Sequence, residues 1–210
     1  MTVCIAAVAN EWEALVLVAD KAITHQGSIF LPAMEGETGA VIKLLDIGES
    51  GWYALFSGRP TVAEEIVRNV EQAIRAESVI TDKYSSMMES FKTAYQEVRE
   101  RHVTDEILRP RLLTKETFIE RSAASLPLDN RYFREVADSV EEYRAGASLL
   151  VCGFDSEGTA RLFSLRESTV ESGETLGFDT IGIGHDMATG RLYWRGAAPE
   201  DDIDVALYQV

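Results

Sequence analysis

Residues 3–20 read VCIAAVANEWEALVLVAD. Two apolar runs, residues 3–9 and 14–20, flank the polar tetrapeptide Asn10-Glu11-Trp12-Glu13. Each run has the length of a strand and is bounded by turn-forming residues, so the stretch predicts a β-hairpin. Neither run alternates apolar with polar residues, as a strand with one wet face does. Continuous apolarity marks strands covered on both faces, and such strands need a layer above and a layer below.

The pattern repeats outward from that hairpin. Residues 41–47 and 52–56 form a second pair of short apolar runs around Gly48-Glu49-Ser50-Gly51. The period then changes at Pro60-Thr61. Thr61 with Glu64 reads as a capping box, and Val62, Ile66, Val70 and Ile74 follow at helical spacing, with Val67 on the same face. A second helix is expected from about Asp82 toward Leu108, with Tyr84, Met87, Met88, Phe91, Tyr95 and Val98 as its core-facing stripe. Pro110 and Pro127 break residues 109–146, which carry a helix from about Asn130 to Arg144. Strands resume over residues 148–154 and 159–165 around Asp155-Ser156-Glu157-Gly158, and a further extended piece covers residues 180–183. Residues 185–194 read as a helix, and residues 201–210 as the start of another. The order strands, helices, strands, helices predicts an α+β fold with two mainly antiparallel, hairpin-built sheets packed face to face between helix layers. The 210 residues are taken as one domain, residues 1–210, with a helical insertion at about residues 109–146.

Composition excludes several classes. A formal charge of −15 argues against a surface for nucleic-acid phosphates or an anionic membrane, because acidic side chains repel both. No apolar run approaches the roughly 20 residues of a bilayer span. The opening stretch lacks the basic residue that precedes a secretory h-region, which favours a cytoplasmic strand over a signal peptide. Cys4 and Cys152 both lie in apolar runs, where a thiol behaves as a small buried hydrophobe.

The sequence contains no nucleophile elbow, phosphate loop, C-x-x-C pair or H-E-x-x-H helix, and His25, His102 and His185 are scattered. Gly182-Ile183-Gly184 lacks the context of a dinucleotide site, and no cofactor is expected. What is left is the chain end. An N-terminal threonine supplies its own base, the free α-amine, whose ordinary pKa of about 7.7–8.0 leaves a useful neutral fraction near physiological pH. Removal of Met1 would expose Thr2 in this role.

Thr2-Val3-Cys4-Ile5, Val18-Ala19-Asp20, Ile42-Lys43-Leu44 and Phe56-Ser57-Gly58, followed by LLVCGFD at residues 149–155 and TIGIG at residues 180–184, occur in an order and spacing that resemble the proteasome-type N-terminal-nucleophile (Ntn) hydrolases. The Thr-x-Cys opening is most similar to the bacterial ancestral-β-subunit group. The resemblance implies a four-layer αββα sandwich. It further implies Thr2 as nucleophile, Lys43 as the cation that lowers the proton affinity of the Thr2 amine, Asp20 as its orienting carboxylate and Gly58 as an oxyanion N–H donor. The implied reaction is hydrolysis of a peptide or small amide through an acyl-enzyme. The expected assembly is a homo-oligomer, a ring or a helical stack.

The sequence departs from the family pattern at Ile183, where proteasome subunits carry a serine between glycines. It also ends at Val210, where family members continue through a helix into closing strands; either a C-terminal portion is truncated or a neighbouring chain covers the sheet edge. Two alternatives stand beside the threonine hydrolase: a catalytically inactive scaffold or assembly subunit, and a small-molecule amidase.

Overall fold

The structure is a computed structural model that describes residues 3–20, 23–25, 28–30, 43–76, 83–123 and 131–210. Strands β1 (Cys4–Ala9) and β2 (Ala14–Ala19) form the expected antiparallel hairpin, with Cys4 opposite Ala19 and Ala9 opposite Ala14. Its turn holds Asn10, Glu11 and Trp12 at positive φ, between 51° and 74°. Non-glycine residues persist in that conformation only when their surroundings impose it. The C-terminal segment does so here: Asn10 N–H donates to the Asp201 carbonyl, Glu11 N–H donates to that of Pro199, and Asn10 Oδ1 accepts from Ile203 N–H.

A short hairpin, β3 (Ile23–His25) and β4 (Ser28–Phe30), precedes β5 (Leu44–Asp46) and β6 (Trp52–Gly58). Two helices follow, α1 (Pro60–Ala76) and α2 (Lys83–Val103). A π-turn at Thr104–Leu108 leads through a 3-10 turn to α3 (Lys115–Ala123) and α4 (Arg131–Glu142). The chain then forms β7 (Ala147–Phe154), β8 (Ala160–Arg166), β9 (Thr169–Ser172) and β10 (Phe178–Ile181), and closes with α5 (His185–Arg195) and α6 (Ile203–Gln209).

Hydrogen bonding orders these strands as β10-β1-β2 in one sheet and β5-β6-β7-β8-β9 in another, with every described pair antiparallel. The inner faces of the two sheets meet through Cys4, Ala6, Val8 and Ile181 on one side and Leu55, Leu150, Cys152 and Leu162 on the other. Residues of opposite parity point outward. Phe56, Leu149, Val151, Phe163 and Leu165 pack beneath Val62, Ile66 and Val70 of α1 and Met87, Phe91, Tyr95 and Val98 of α2. Ile5, Ala7 and Phe178 pack against Leu192 of α5. The layers are therefore helix, sheet, sheet, helix, and the two-sided burial expected of the opening runs has its cause: β1 is buried along its whole length. Each large apolar side chain so buried stabilises the fold by about 1.5–3 kcal/mol.

Two expectations need correction, and one strand was not expected. Thr61 is not a cap: α1 begins at Pro60, whose missing N–H suits the first helical position, and the Arg59 carbonyl accepts the Ala63 N–H. The long second helix does not run unbroken to Leu108 but loosens into the π-turn after Val103. The strand β9 had no counterpart in the sequence reading, because TVES over residues 169–172 is short and polar, as an edge strand is. The parts of the sequence reading at residues 41–42, 82, 127 and 130 lie outside the described residues.

Candidate active site

The sandwich has one end where β1 begins and β2, β6, β8 and β10 all finish. Two of the four expected site residues meet there. Lys43 lies just ahead of β5, and its Nζ forms an ion pair with Asp20 Oδ1, just past the end of β2. The backbone sets this meeting from both sheets: Asp20 N–H donates to the Val3 carbonyl at 3.1 Å, and Phe56 N–H donates to the Lys43 carbonyl at 3.1 Å. The environments of the partners differ. The Lys43 side chain is 4% exposed and that of Asp20 is 31% exposed, so the cation is enclosed and the carboxylate reaches water.

Cys4 joins the two sheets beside this pair. Its Sγ donates to the Phe56 carbonyl at 3.3 Å. Burial pushes its thiol up to about 12; the Lys43 charge lowers it and the Asp20 charge raises it by lesser amounts. A thiol so held is not an activated nucleophile, as the sequence reading expected. Cys152 is wholly buried and is likewise raised to about 12 by desolvation.

Gly58 ends β6 at the same end of the sandwich, at φ +92°. A Cβ there would lie 2.1 Å from the Gly146 carbonyl oxygen, so the approach of β7 to this turn requires glycine. The contact is fixed by Arg59 N–H, which donates to the same oxygen at 2.8 Å. Thr2, the expected nucleophile, lies outside the described residues, as does Met1. The first described residue, Val3, is the residue whose carbonyl receives Asp20 N–H.

Sequence reasoning missed two polar constellations. Arg166, the last residue of β8, reaches across to the other sheet, where its Nη2 donates to Asp179 Oδ1 at 3.0 Å and to the Thr180 carbonyl at 2.8 Å. His102, one of the three scattered histidines, bridges two glutamates: Nδ1 lies 3.0 Å from Glu106 and Nε2 lies 3.1 Å from Glu65. An arginine closing the strand ARLFSLR, on the same face as Leu162 and Ser164, was the available signal for the first. In the second, His102 and Glu106 stand four residues apart, a local spacing, whereas Glu65 is 37 positions away and carries no local signal.

Together these features define the class of architecture: a four-layer αββα sandwich with a lysine–aspartate pair and a conformationally required glycine at the end where β1 begins. Comparison with known proteins agrees at the level of fold. A solved structure of an Anbu mutant from Hyphomicrobium sp. strain MC1 is similar over 100% of this chain and 72% of that chain, with a TM-score of 0.61 and 15% sequence identity. No family model matches the sequence, and neither does any curated protein. Among the described residues, no helix is long and apolar enough to cross a membrane.

Proposed function

We propose that this protein is an N-terminal threonine hydrolase of amide or peptide bonds, made competent by removal of Met1. The observation that carries the reading is the Asp20–Lys43 pair, whose enclosed ammonium lies where β1 starts. In the proposed reaction the Thr2 amine takes the hydroxyl proton while Oγ attacks the substrate carbonyl, and Lys43 disfavours a second positive charge on that amine. The developing oxyanion draws on the Gly58 N–H. The amine product leaves with the transferred proton, and water then cleaves the Thr2 ester. The proposed substrate class is a peptide or small amide, the proposed location is the cytoplasm, and the chain is read as one domain.

A homo-oligomer fits this reading. Met187 and Trp194, seven residues apart on α5, and Ile183 just before it are 74%, 92% and 75% exposed, apolar side chains that a second copy would cover.

One observation favours the alternative of an inactive scaffold subunit. Ile183 stands where proteasome subunits carry a serine, and no hydroxyl is available at that position.

Intact-mass measurement and labelling with a β-lactone test the reading together. The expected result is a chain lacking Met1 that gains one adduct, lost in Thr2→Ala. A chain that keeps Met1 and takes no adduct points to the scaffold, and an adduct that persists in Thr2→Ala removes Thr2 as nucleophile.

A further inference from the structure

The two sheets meet through packed apolar side chains, and polar ones enter their facing surfaces toward the end that holds Lys43 and Asp20. Side chains alternate along a strand, so Leu55 and Ser57 of β6, Ser148 and Leu150 of β7, and Leu162, Ser164 and Arg166 of β8 share the inner face. Strand register aligns Ser57 with Ser148 and Ser148 with Arg166, making one polar row across three strands. Ser164 lies one step deeper, opposite Leu150. The row starts beside Phe56, the residue that bonds both Lys43 and Cys4. It ends where Arg166 crosses to Asp179.

Two polar groups here have no hydrogen-bond partner among the described residues: Ser164 Oγ, in a residue that is 0% exposed, and Arg166 Nε, a buried atom on a side chain that is 33% exposed as a whole. Leaving such groups dry costs about 1–3 kcal/mol each, more for a charged group. Their needs differ. Arginine Nε–H only donates, whereas a serine hydroxyl both donates and accepts. A molecule that satisfies both must accept from the first and exchange either way with the second. Water does this, and a buried water uses two to four polar partners, which the row supplies. An anion could also accept from both, but the Arg166 charge is already matched by Asp179.

We propose that the Ser57–Ser148–Arg166 row, with Ser164 behind it, binds internal water as a short chain between the sheets, leading from Arg166 toward the Asp20–Lys43 pair. A role for that chain in delivering water to an acyl-enzyme rests on the hydrolase reading given above; its occupancy does not.

Crystallography of the full chain in bromide buffer, with the stability of Ser164→Ala, tests the proposal. The expected result is a water within hydrogen-bond distance of Arg166 Nε and Ser164 Oγ, and a lowered Tm for Ser164→Ala because a bridged hydroxyl is lost. An anomalous bromide peak at Arg166 would overturn it, as would both groups turning onto protein partners with no water between. An unchanged or raised Tm for Ser164→Ala has the same force, since replacing a dry, unpaired hydroxyl by hydrogen is neutral or stabilising. None of these readouts depends on activity. A missing lactone adduct with ordered water present sinks the hydrolase reading alone, and a dry row in a protein that takes the adduct sinks this proposal alone.

Discussion

Gly58 and Gly146 approach so closely that a methyl group on the first would stand 2.1 Å from the carbonyl oxygen of the second. The contact joins the end of β6 to the segment leading into β7, and it places the Gly58 N–H at the same end of the sandwich as Lys43. Two costs therefore fall on any side chain at position 58: a backbone clash, and a φ of +92° that L-residues rarely adopt. Gly58→Ala is expected to lose about 2–4 kcal/mol, a backbone strain of about 1–3 kcal/mol together with the clash against Gly146. Thermal unfolding checks this, with an expected Tm drop of roughly 5–15 °C for a chain of this size.

Asp20→Asn and Lys43→Met remove the same ion pair but should not be equivalent. Asn at position 20 leaves an enclosed ammonium without its carboxylate, and breaking a buried pair in this way costs up to about 3–5 kcal/mol. Met at position 43 leaves a carboxylate that is 31% exposed and can regain water. Urea midpoints should therefore fall further for Asp20→Asn than for Lys43→Met. The reverse order would mean that the lysine is not the enclosed partner.

The thiols offer a test of packing that needs no activity assay. Cys4 and Cys152 are both fully buried and both raised to about 12, so almost no thiolate exists at pH 8. Iodoacetamide at that pH should leave both unmodified in the folded protein and alkylate both after denaturation. Rapid native alkylation at Cys4 would show that the first strand is not seated between the sheets.

Glu106 links acid stability to the bridge at His102. Its carboxyl is held below the ordinary carboxylate range, chiefly by the His102 hydrogen bond, with a further contribution from Arg59. A depressed folded-state pKa stabilises the protein above the unfolded-state value of about 4.3 and loses that contribution as pH falls through the folded-state value. Glu106→Gln should accordingly lower Tm at pH 6, and the difference from the parent protein should shrink on acidification below about pH 4. A difference that is constant with pH would mean that Glu106 acts by packing alone.

The hairpin at residues 3–20, the helical stripe of Met87, Phe91, Tyr95 and Val98, and the pairing of strands around Gly158 were all legible because each depends on residues close in sequence. A period of two or of 3.6 residues reports which faces are buried, and turn residues report where the chain reverses. The positive-φ turn at residues 10–12 was not legible in its detail, because it is imposed by a segment nearly two hundred residues later, as the 193-residue separation of Asn10 and Ile203 records. The Thr61 cap failed for a local reason: Pro60 itself suits the first helical position and moves the helix start one residue back.

By itself the sequence determined that this chain builds two doubly covered hairpin sheets between helices, because continuous apolarity in short runs leaves no face for water. It also singled out Asp20, Lys43 and Gly58 as residues of interest, through their resemblance in order and spacing to a known family. Only the tertiary structure decided that Asp20 and Lys43 touch, that the lysine is the enclosed member, and that Ser57, Ser148 and Arg166 share one row between the sheets with Ser164 behind it. Those facts depend on strand register and on how two sheets stack, and both are set by burying many side chains at once, a cooperative choice that no local stretch of sequence specifies.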